Sequence, residues 1–344
     1  MPTHFIGIDL GARRTQVCIT TDDGTVLTNT SVASRLDGIL VLAQRHGATA
    51  CPVAIEATFA WYWLADGLQD HGYEVHLVHA ARCAAITTAK VKTDRRDAAT
   101  LAQLLRAGLL PEAYLYPRAQ RGTRDLVRQR HAVVERRSGV LRKIRCLLYR
   151  EGHVDHDLDD AKHLDADDLM TRFADPMVRF HAQTLIDEQA HLLEIQTRIE
   201  KILLDQAEET PQHALLRSIP GIGKILSLVI GYEIGDIRRF RSIQGFCSYC
   251  RVAPGIAQSG NSVRHGRANK AGNPHLKRSF HQAAVLACSH EEGWKHWRDR
   301  LLVRHAGQGG KMKATNAVAH RLARIVFRIL LSGKPYEETL ARLA

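Results

Sequence analysis

The sequence predicts an α/β N-terminal domain, a long helical arm and a mainly α-helical C-terminal region. Three observations predict this. Short apolar runs separated by turn residues crowd the first 80 positions. Two long central stretches repeat apolar residues at helical spacing. Three further helical patterns follow a basic, glycine-containing segment near the C-terminus. With 344 residues, 45% of them hydrophobic, the chain can bury two or three cores.

Residues 4–10 (HFIGIDL) and 15–20 (TQVCIT) read as strands around the turn Gly11-Ala12. Thr25–Asn29 reads as a third, entered through Asp22-Asp23-Gly24, a hairpin turn. Leu36–His46 is helical, Cys51–Ile55 a short buried strand, Phe59–Gln69 a helix and Glu74–Val78 a strand. Three antiparallel strands followed by strand–helix alternation is the order of a ribonuclease-H-like domain. Its core ends near Gly108, giving a first domain over 1–110. Asp94–Ala107 reads as a helix and Pro111–Pro117 as the exit from this domain.

Residues 111–210 form the predicted arm. Arg118 to Arg150 holds eleven Arg or Lys and two acids, Asp125 and Glu135. Leu126, Val133, Val140 and Leu147 recur every seven residues, with Ile144 between the last two. One apolar stripe therefore packs while a basic remainder faces outward, either to a nucleic-acid backbone or to solvent. Glu151–Asp168 reverses the sign with eight acids and one Lys, and lacks the glycine and spacing of a calcium loop. Val178–Glu209 returns to a long helix with Leu185, Leu192, Ile195, Ile199 and Ile202 on one side. A helical hairpin and an oligomerisation arm are both open at this point.

Residues 211–344 form the helical C-terminal region. Pro211 ends the long helix, and Pro220-Gly221-Ile222-Gly223 precedes a helix from Lys224 to Gly231. Such a helix start can grip a phosphate, as in a helix–hairpin–helix contact, or be a structural turn. Pro254–Asn273 reads as a basic loop, followed by helices at about 276–289, 294–306 and 314–331.

The charge is +12, from 48 Lys and Arg against 36 Asp and Glu, which favours a polyanionic partner. No secretory signal and no bilayer-length apolar run is visible, so no membrane partner is expected. The seven Cys are odd in number and scattered, which suits a reducing cytoplasm rather than a disulfide framework. Cys247 and Cys250 form the one CxxC pair; without a second pair, packed thiols on a helix are expected rather than zinc.

Four carboxylates stand out. Asp9 lies on an apolar strand before Leu10-Gly11, and Glu56 follows the buried run Cys51–Ile55. Strand carboxyl ends are where ligands bind open α/β sheets. Asp94 and Asp97 stand one helical turn apart in Lys92-Thr93-Asp94-Arg95-Arg96-Asp97-Ala98. Gathered together, four acids repel unless divalent cations hold them. Mg²⁺ (or Mn²⁺) suits such hard oxygen ligands, and two ions can activate a nucleophile and a leaving oxygen at a phosphodiester. Taken singly, Asp9 could be a turn or phosphate-loop acid, Glu56 or Asp94 a helix cap, and Asp97 a dipole partner. The run Ile6 to Gly11 also resembles the opening hairpin of actin-like sugar kinases, but no second copy occurs.

Residues 253–279 hold a second candidate. Ser259 lies in Gln258-Ser259-Gly260, followed by Arg264, Arg267, Lys270, Lys277 and Arg278 with no acid between. A serine among cations can attack a phosphodiester whose charge they stabilise. Spacing alone favours the plainer reading, one donor in a basic nucleic-acid-binding loop, and leaves an ordinary surface loop as a third. Ser262 is a less favoured candidate for the same role.

The ordered set resembles the insertion-sequence 110 family of transposases, understood as bridge-RNA-guided DNA recombinases. The matching pieces are Gly7-Ile8-Asp9, Ile55-Glu56-Ala57-Thr58, 92–98 and IPGIG at 219–223. They continue with Glu233 to Phe240, Ala253-Pro254-Gly255, Gln258-Ser259-Gly260 and 270–278. The likeness implies a RuvC-like DEDD domain (Asp9, Glu56, Asp94, Asp97), similar in fold to Holliday-junction resolvases, and a C-terminal transposase domain. It implies that Ser259 becomes covalently linked to a DNA strand end, in a composite site with the acids of another protomer. It also implies a structured guide RNA that pairs with donor and target DNA, and a coiled-coil arm that supports dimers or tetramers. Two positions depart from the family pattern: Phe59 where Gly is usual, and His79-Ala80 where Asn-Pro is common.

The resulting expectation is a Mg²⁺-dependent transposase or recombinase of the bacterial cytoplasm, nucleoid-associated when bound to DNA. Asp9, Glu56, Asp94 and Asp97 would hold metal, Ser259 would attack, and Arg264, Arg267, Lys270, Lys277 and Arg278 would touch the backbone. The alternatives are a RuvC-like junction endonuclease using activated water, or a non-catalytic RNA/DNA-binding assembly protein.

Overall fold

Strand alternation sorts the first sheet into two apolar faces. The computed structural model describes residues 3–58, 60–79, 82–83, 93–153, 167, 171–206, 210–259, 262–266, 271–304 and 309–336, with backbone alone for 256–259 and 262–266. Strands β1 (His4–Asp9), β2 (Arg14–Thr21) and β3 (Val26–Ala33) are antiparallel, and α1 (Leu36–Arg45) follows. β4 (Pro52–Glu56), α2 (Trp61–Asp70), β5 (Glu74–Val78) and α3 (Asp94–Arg106) complete the unit. The sheet order is β3-β2-β1-β4-β5, with β4 parallel to both β1 and β5.

Ile6, Ile8, Val17, Ile19, Val53 and Ile55 form one core with Ile39 of α1 and Leu64 and Leu68 of α2. On the opposite face Phe5, Ala54 and Val78 gather with Leu101 and Leu105 of α3, and Cys18 with Ala98 and Ala102. A mixed five-stranded sheet with helices on both faces fits the ribonuclease-H-like expectation. β3 runs past the predicted Asn29 to Ala33, because its β-branched Thr28, Thr30 and Val32 continue to pair with β2.

The chain divides into two compact units, Met1–Arg118 and Ala119–Ala344. In the second, α4 (Arg118–Arg150) and α5 (Pro176–Gln206) bury Val133, Val140, Ile144 and Leu147 with Ala182, Leu185, Leu192 and Ile199. Arg130 meets Glu200 and Arg137 meets Gln196, so the two helices run antiparallel as a hairpin within one chain. Ile202, placed on the apolar side by its spacing, is 44% exposed, and Leu203 is buried in its stead. The acidic connector lies largely outside the described residues.

The remaining helices are α6 (Pro211–Arg217), α7 (Lys224–Ile234), α8 (Ile243–Tyr249), α9 (Pro274–His290), α10 (Glu292–Arg304) and α11 (Gly310–Ser332). Leu216, Ile230, Phe246, Phe280, Leu322 and Val326 belong to their common core. Gly221, at φ 82°, has room for no side chain: a Cβ would stand 2.3 Å from the Ala283 carbonyl oxygen. That contact gives this glycine of the Pro220–Gly223 turn a packing role against α9. Cys247 and Cys250 are free and buried in the same core, where burial pushes the Cys247 thiol up to about 11.

Pro254–Asn273 is not simply a loop. It contains β6 (Gly255–Ser259) and β7 (Ser262–Gly266), an antiparallel pair from Gly255↔Gly266 to Ser259↔Ser262. The signal was in the sequence: Gly260-Asn261 is a two-residue hairpin dipeptide between two runs of equal length. Basic composition masked it.

Candidate metal centre and serine hairpin

Asp9 ends β1 and Glu56 ends β4. The parallel register pairs Gly7 with Ala54 and Ile8 with Ile55, which brings Asp9 and Glu56 to the ends of neighbouring strands, about 4.8 Å apart by strand spacing. Period two puts both on the face of Gly7 and Ala54, beneath α3. A Cβ on Gly7 would lie 2.1 Å from the Ala98 carbonyl oxygen and 2.4 Å from the Ala102 nitrogen. Helix α3 therefore packs backbone against backbone on β1, and Asp97 immediately precedes that contact.

The start of α3 is held on both sides. Thr93 caps it, accepting from the Arg96 N–H at 3.4 Å, so Asp94 is the first helical residue rather than the cap. Asn29 Nδ2 donates to the Arg95 carbonyl at 2.9 Å, tying β3 to the same turn. Cys83 reports the local field: burial pushes its thiol up, and the carboxylates of Glu56 and Asp97 push it further. The structure thus brings Asp9, Glu56 and Asp97 to one end of one sheet face, with Asp94 exposed at the helix start. Hard oxygen donors at the carboxyl edge of a sheet fit a divalent cation such as Mg²⁺ by chemistry. Among the described residues, however, no three His, Cys, Asp or Glu side chains close around an ion. Gly7, Asn29, Thr93 and Cys83 were given no role at this site from sequence; a glycine inside an apolar strand was the available signal of close backbone approach.

Ser259 is the last residue of β6, opposite Ser262, at the far end of the hairpin from Gly255 and Gly266. Arg264 lies in β7; Arg267 and Lys270 fall outside the described residues. Lys277 and Arg278 lie in the first turns of α9, and Arg278 Nη2 is 2.7 Å from Glu135 Oε1 of α4.

At the start of α9 lies a buried polar cluster that sequence reasoning missed. Glu233 of α7 is 2% exposed, and Arg128 of α4 donates to both of its carboxylate oxygens, at 2.5 and 2.8 Å. Asn273 Nδ2 donates to Glu233 Oε2 at 2.7 Å. Burial alone pushes the Glu233 carboxyl up; the Arg128 bonds and charge, with Asn273, carry it below its ordinary value. Beside it, the His131 and His275 rings meet edge to face at 5.8 Å. Burial first, then Arg278, holds the His131 imidazole below its ordinary value; burial likewise lowers His275.

Two family models match the chain in order. A DEDD transposase model of the IS110 type covers residues 6–151, the segment that contains all four acids. The Transposase IS116/IS110/IS902 family model covers residues 213–299, which include Glu233, Ser259 and Asn273. The chain thus carries transposase domains of the IS110/IS116/IS902 family. Among its relatives, the transposase-like protein y4qE of Sinorhizobium fredii is 27% identical over 55% of this chain and 46% of its own length. An insertion element IS110 protein of 43.6 kDa from Streptomyces coelicolor is 29% identical over 46% of this chain and 36% of its own length. The chain therefore matches about half or less of these two relatives. A pilin gene-inverting protein from Moraxella lacunata is 22% identical over 99% of both chains.

Proposed function

We propose that this transposase-family chain cleaves and rejoins DNA strands to move an insertion sequence. The reading is supported by Asp9 and Glu56 ending neighbouring strands, and by the packing on Gly7 of the helix whose first turn carries Asp97, within the segment that matches the DEDD transposase model. In this reading those three acids and Asp94 hold Mg²⁺ or Mn²⁺. When bound, such ions supply positive charge to a phosphodiester and its leaving oxygen.

Ser259 is the nucleophile. Its Oγ forms a bond to phosphorus as the bond to the leaving deoxyribose oxygen breaks, and the serine proton ends on that oxygen. The reverse attack, by the hydroxyl of a new strand end, restores the serine and joins the strands. Arg264, Arg267, Lys270 and Lys277 serve the DNA backbone as point charges; Arg278 does so only by sharing or leaving Glu135. A structured guide RNA and self-association to a dimer or tetramer belong to the same reading, supported by the family likeness and the charge of +12.

The test is a denaturing gel of the full chain with Mg²⁺, its co-purifying RNA and labelled element-end DNA. The native chain should yield a protein-linked DNA band that Ser259→Ala lacks and that Asp9→Asn reduces to background. Cleavage by native chain and Ser259→Ala alike, without a linked band, would instead identify hydrolysis by activated water.

A further inference from the structure

A two-stranded ribbon is marginally stable by itself, and β6–β7 forms a separate two-stranded sheet. Ser259 stands four residues above the Gly255–Gly266 pair, or roughly 13 Å at strand rise. A tilt of roughly 10° at the base would swing that position by roughly 2 Å, whereas a reacting group must be held to about 0.5 Å. The anchoring of the chain that flanks the hairpin therefore bears on where its tip stands.

The chain is tied to the end of α8 on either side of the hairpin, three residues before β6 and seven after β7. Val252 N–H donates to the Cys247 carbonyl at 3.2 Å, and Asn273 N–H to the Tyr249 carbonyl at 2.6 Å. Gly272, at φ 109°, would place a Cβ 2.5 Å from that same Tyr249 oxygen. Asn273 then works in two directions. Its Oδ1 accepts from the His275 and Leu276 N–H groups at 2.9 and 3.1 Å, capping α9. Its Nδ2 donates to Glu233, which Arg128 fixes from α4. Capping alone needs only an acceptor, which Ser, Thr or Asp would supply. An Asp would set a like charge against Glu233, and a Ser is too short to reach it. The side chain that both accepts and donates across this gap is Asn.

We infer that Asn273, through the buried Glu233–Arg128 pair, is a positioning residue for the hairpin that carries Ser259. The inference rests on Ser259 as the nucleophile for its catalytic meaning, but not for its structural one.

Asn273→Ser separates the two roles, since serine keeps the helix cap and loses the link. In the full chain, amide exchange over 255–266 should accelerate at least tenfold, with α9 protected as in the native chain. Formation of the serine–DNA adduct should slow at least tenfold, with DNA affinity within twofold. Hairpin exchange equal to that of the native chain would overturn the inference. Should Asn273→Ser not fold, Arg128→Lys keeps the charge beside Glu233 but removes the two-pronged bond; it too should speed hairpin exchange, and unchanged exchange would overturn the inference. If no form yields an adduct while the exchange difference persists, the role of Ser259 fails and the positioning stands.

Discussion

Replacing Gly7 with alanine tests whether close packing of α3 on β1 assembles the acidic centre. The added Cβ would begin 2.1 Å from the Ala98 oxygen and 2.4 Å from the Ala102 nitrogen, both backbone atoms that no rotamer can move. Relief requires α3 to retreat by roughly 1 Å, and overpacking of this kind costs about 1–3 kcal/mol. For a unit of this size each kcal/mol lowers the melting temperature by roughly 4 °C, so a fall of about 4–12 °C is expected. The same retreat carries Asp97 away from Asp9 and Glu56, whereas metal–ligand distances tolerate only about 0.2 Å. Mn²⁺ affinity, read by calorimetry, should therefore fall at least tenfold. Gly38→Ala is the control: it lies in α1, and the nearest neighbour of the added Cβ is the Ala33 carbonyl oxygen at 4.0 Å. That change should leave Mn²⁺ binding intact and raise stability by about 0.5–1 kcal/mol. A Gly7→Ala protein that melts with the native chain and binds Mn²⁺ equally would refute the reasoning.

Thr93→Ala removes the cap beside Asp94 and Asp97 and should cost about 1 kcal/mol, with weaker Mn²⁺ binding; a change in neither would detach the cap from the site. Glu233→Ala leaves Asn273 and the partly exposed Arg128 without their acceptor and should cost about 1–3 kcal/mol, and adding Arg128→Ala should recover part of that loss in urea unfolding. Additive losses would deny the coupling. His131 and His275 are lowered in the folded state, so the unfolded chain binds protons first. Stability should fall as pH drops below about 6.5 and level off below their folded values. Glu233, lowered from 4.5, adds a second loss at more acid pH. Urea midpoints at pH 7.5 and 5.5 should differ in that direction, and the difference should shrink in a His131→Gln, His275→Gln protein.

Long periodic elements were the most legible. Glu74–Val78 and Arg118–Arg150 have the predicted bounds, because alternation in the first and a seven-residue repeat in the second leave little freedom. Glu56, read at the carboxyl end of its strand, ends β4, whereas Asp9, read within a strand over 4–10, is the last residue of β1. The exchange of Ile202 for Leu203 shows the limit: where apolar residues are adjacent, spacing alone does not choose the facing one. Glu233 was visible as a lone acid on an otherwise apolar helix, which demands a partner. Its partner, Arg128, lies 105 residues earlier among many arginines, and only the packing of α4 on α7 selects it. The packing of the helix that carries Asp97 on the strand that ends in Asp9 likewise depends on Gly7, whose contact joins segments more than ninety positions apart.

The basic helix α4 carries fewer available charges than its composition suggests. Arg128, Arg130 and Arg137 are engaged with Glu233, Glu200 and Gln196, Arg118 with Asp66 and Asp70, Arg150 with Glu151, and Arg121 is buried. Arg136, Arg142, Lys143 and Arg145 are exposed and enter no ion pair among the described residues. Each phosphate neutralised on duplex DNA releases about 0.9 of a counterion. This helix would therefore contribute a salt slope of roughly 4, where a count of its eleven cations would suggest roughly 10. Much of its arginine content works as mortar between helices, and the chain's grip on a polyanion should survive added salt better than its formal charge implies.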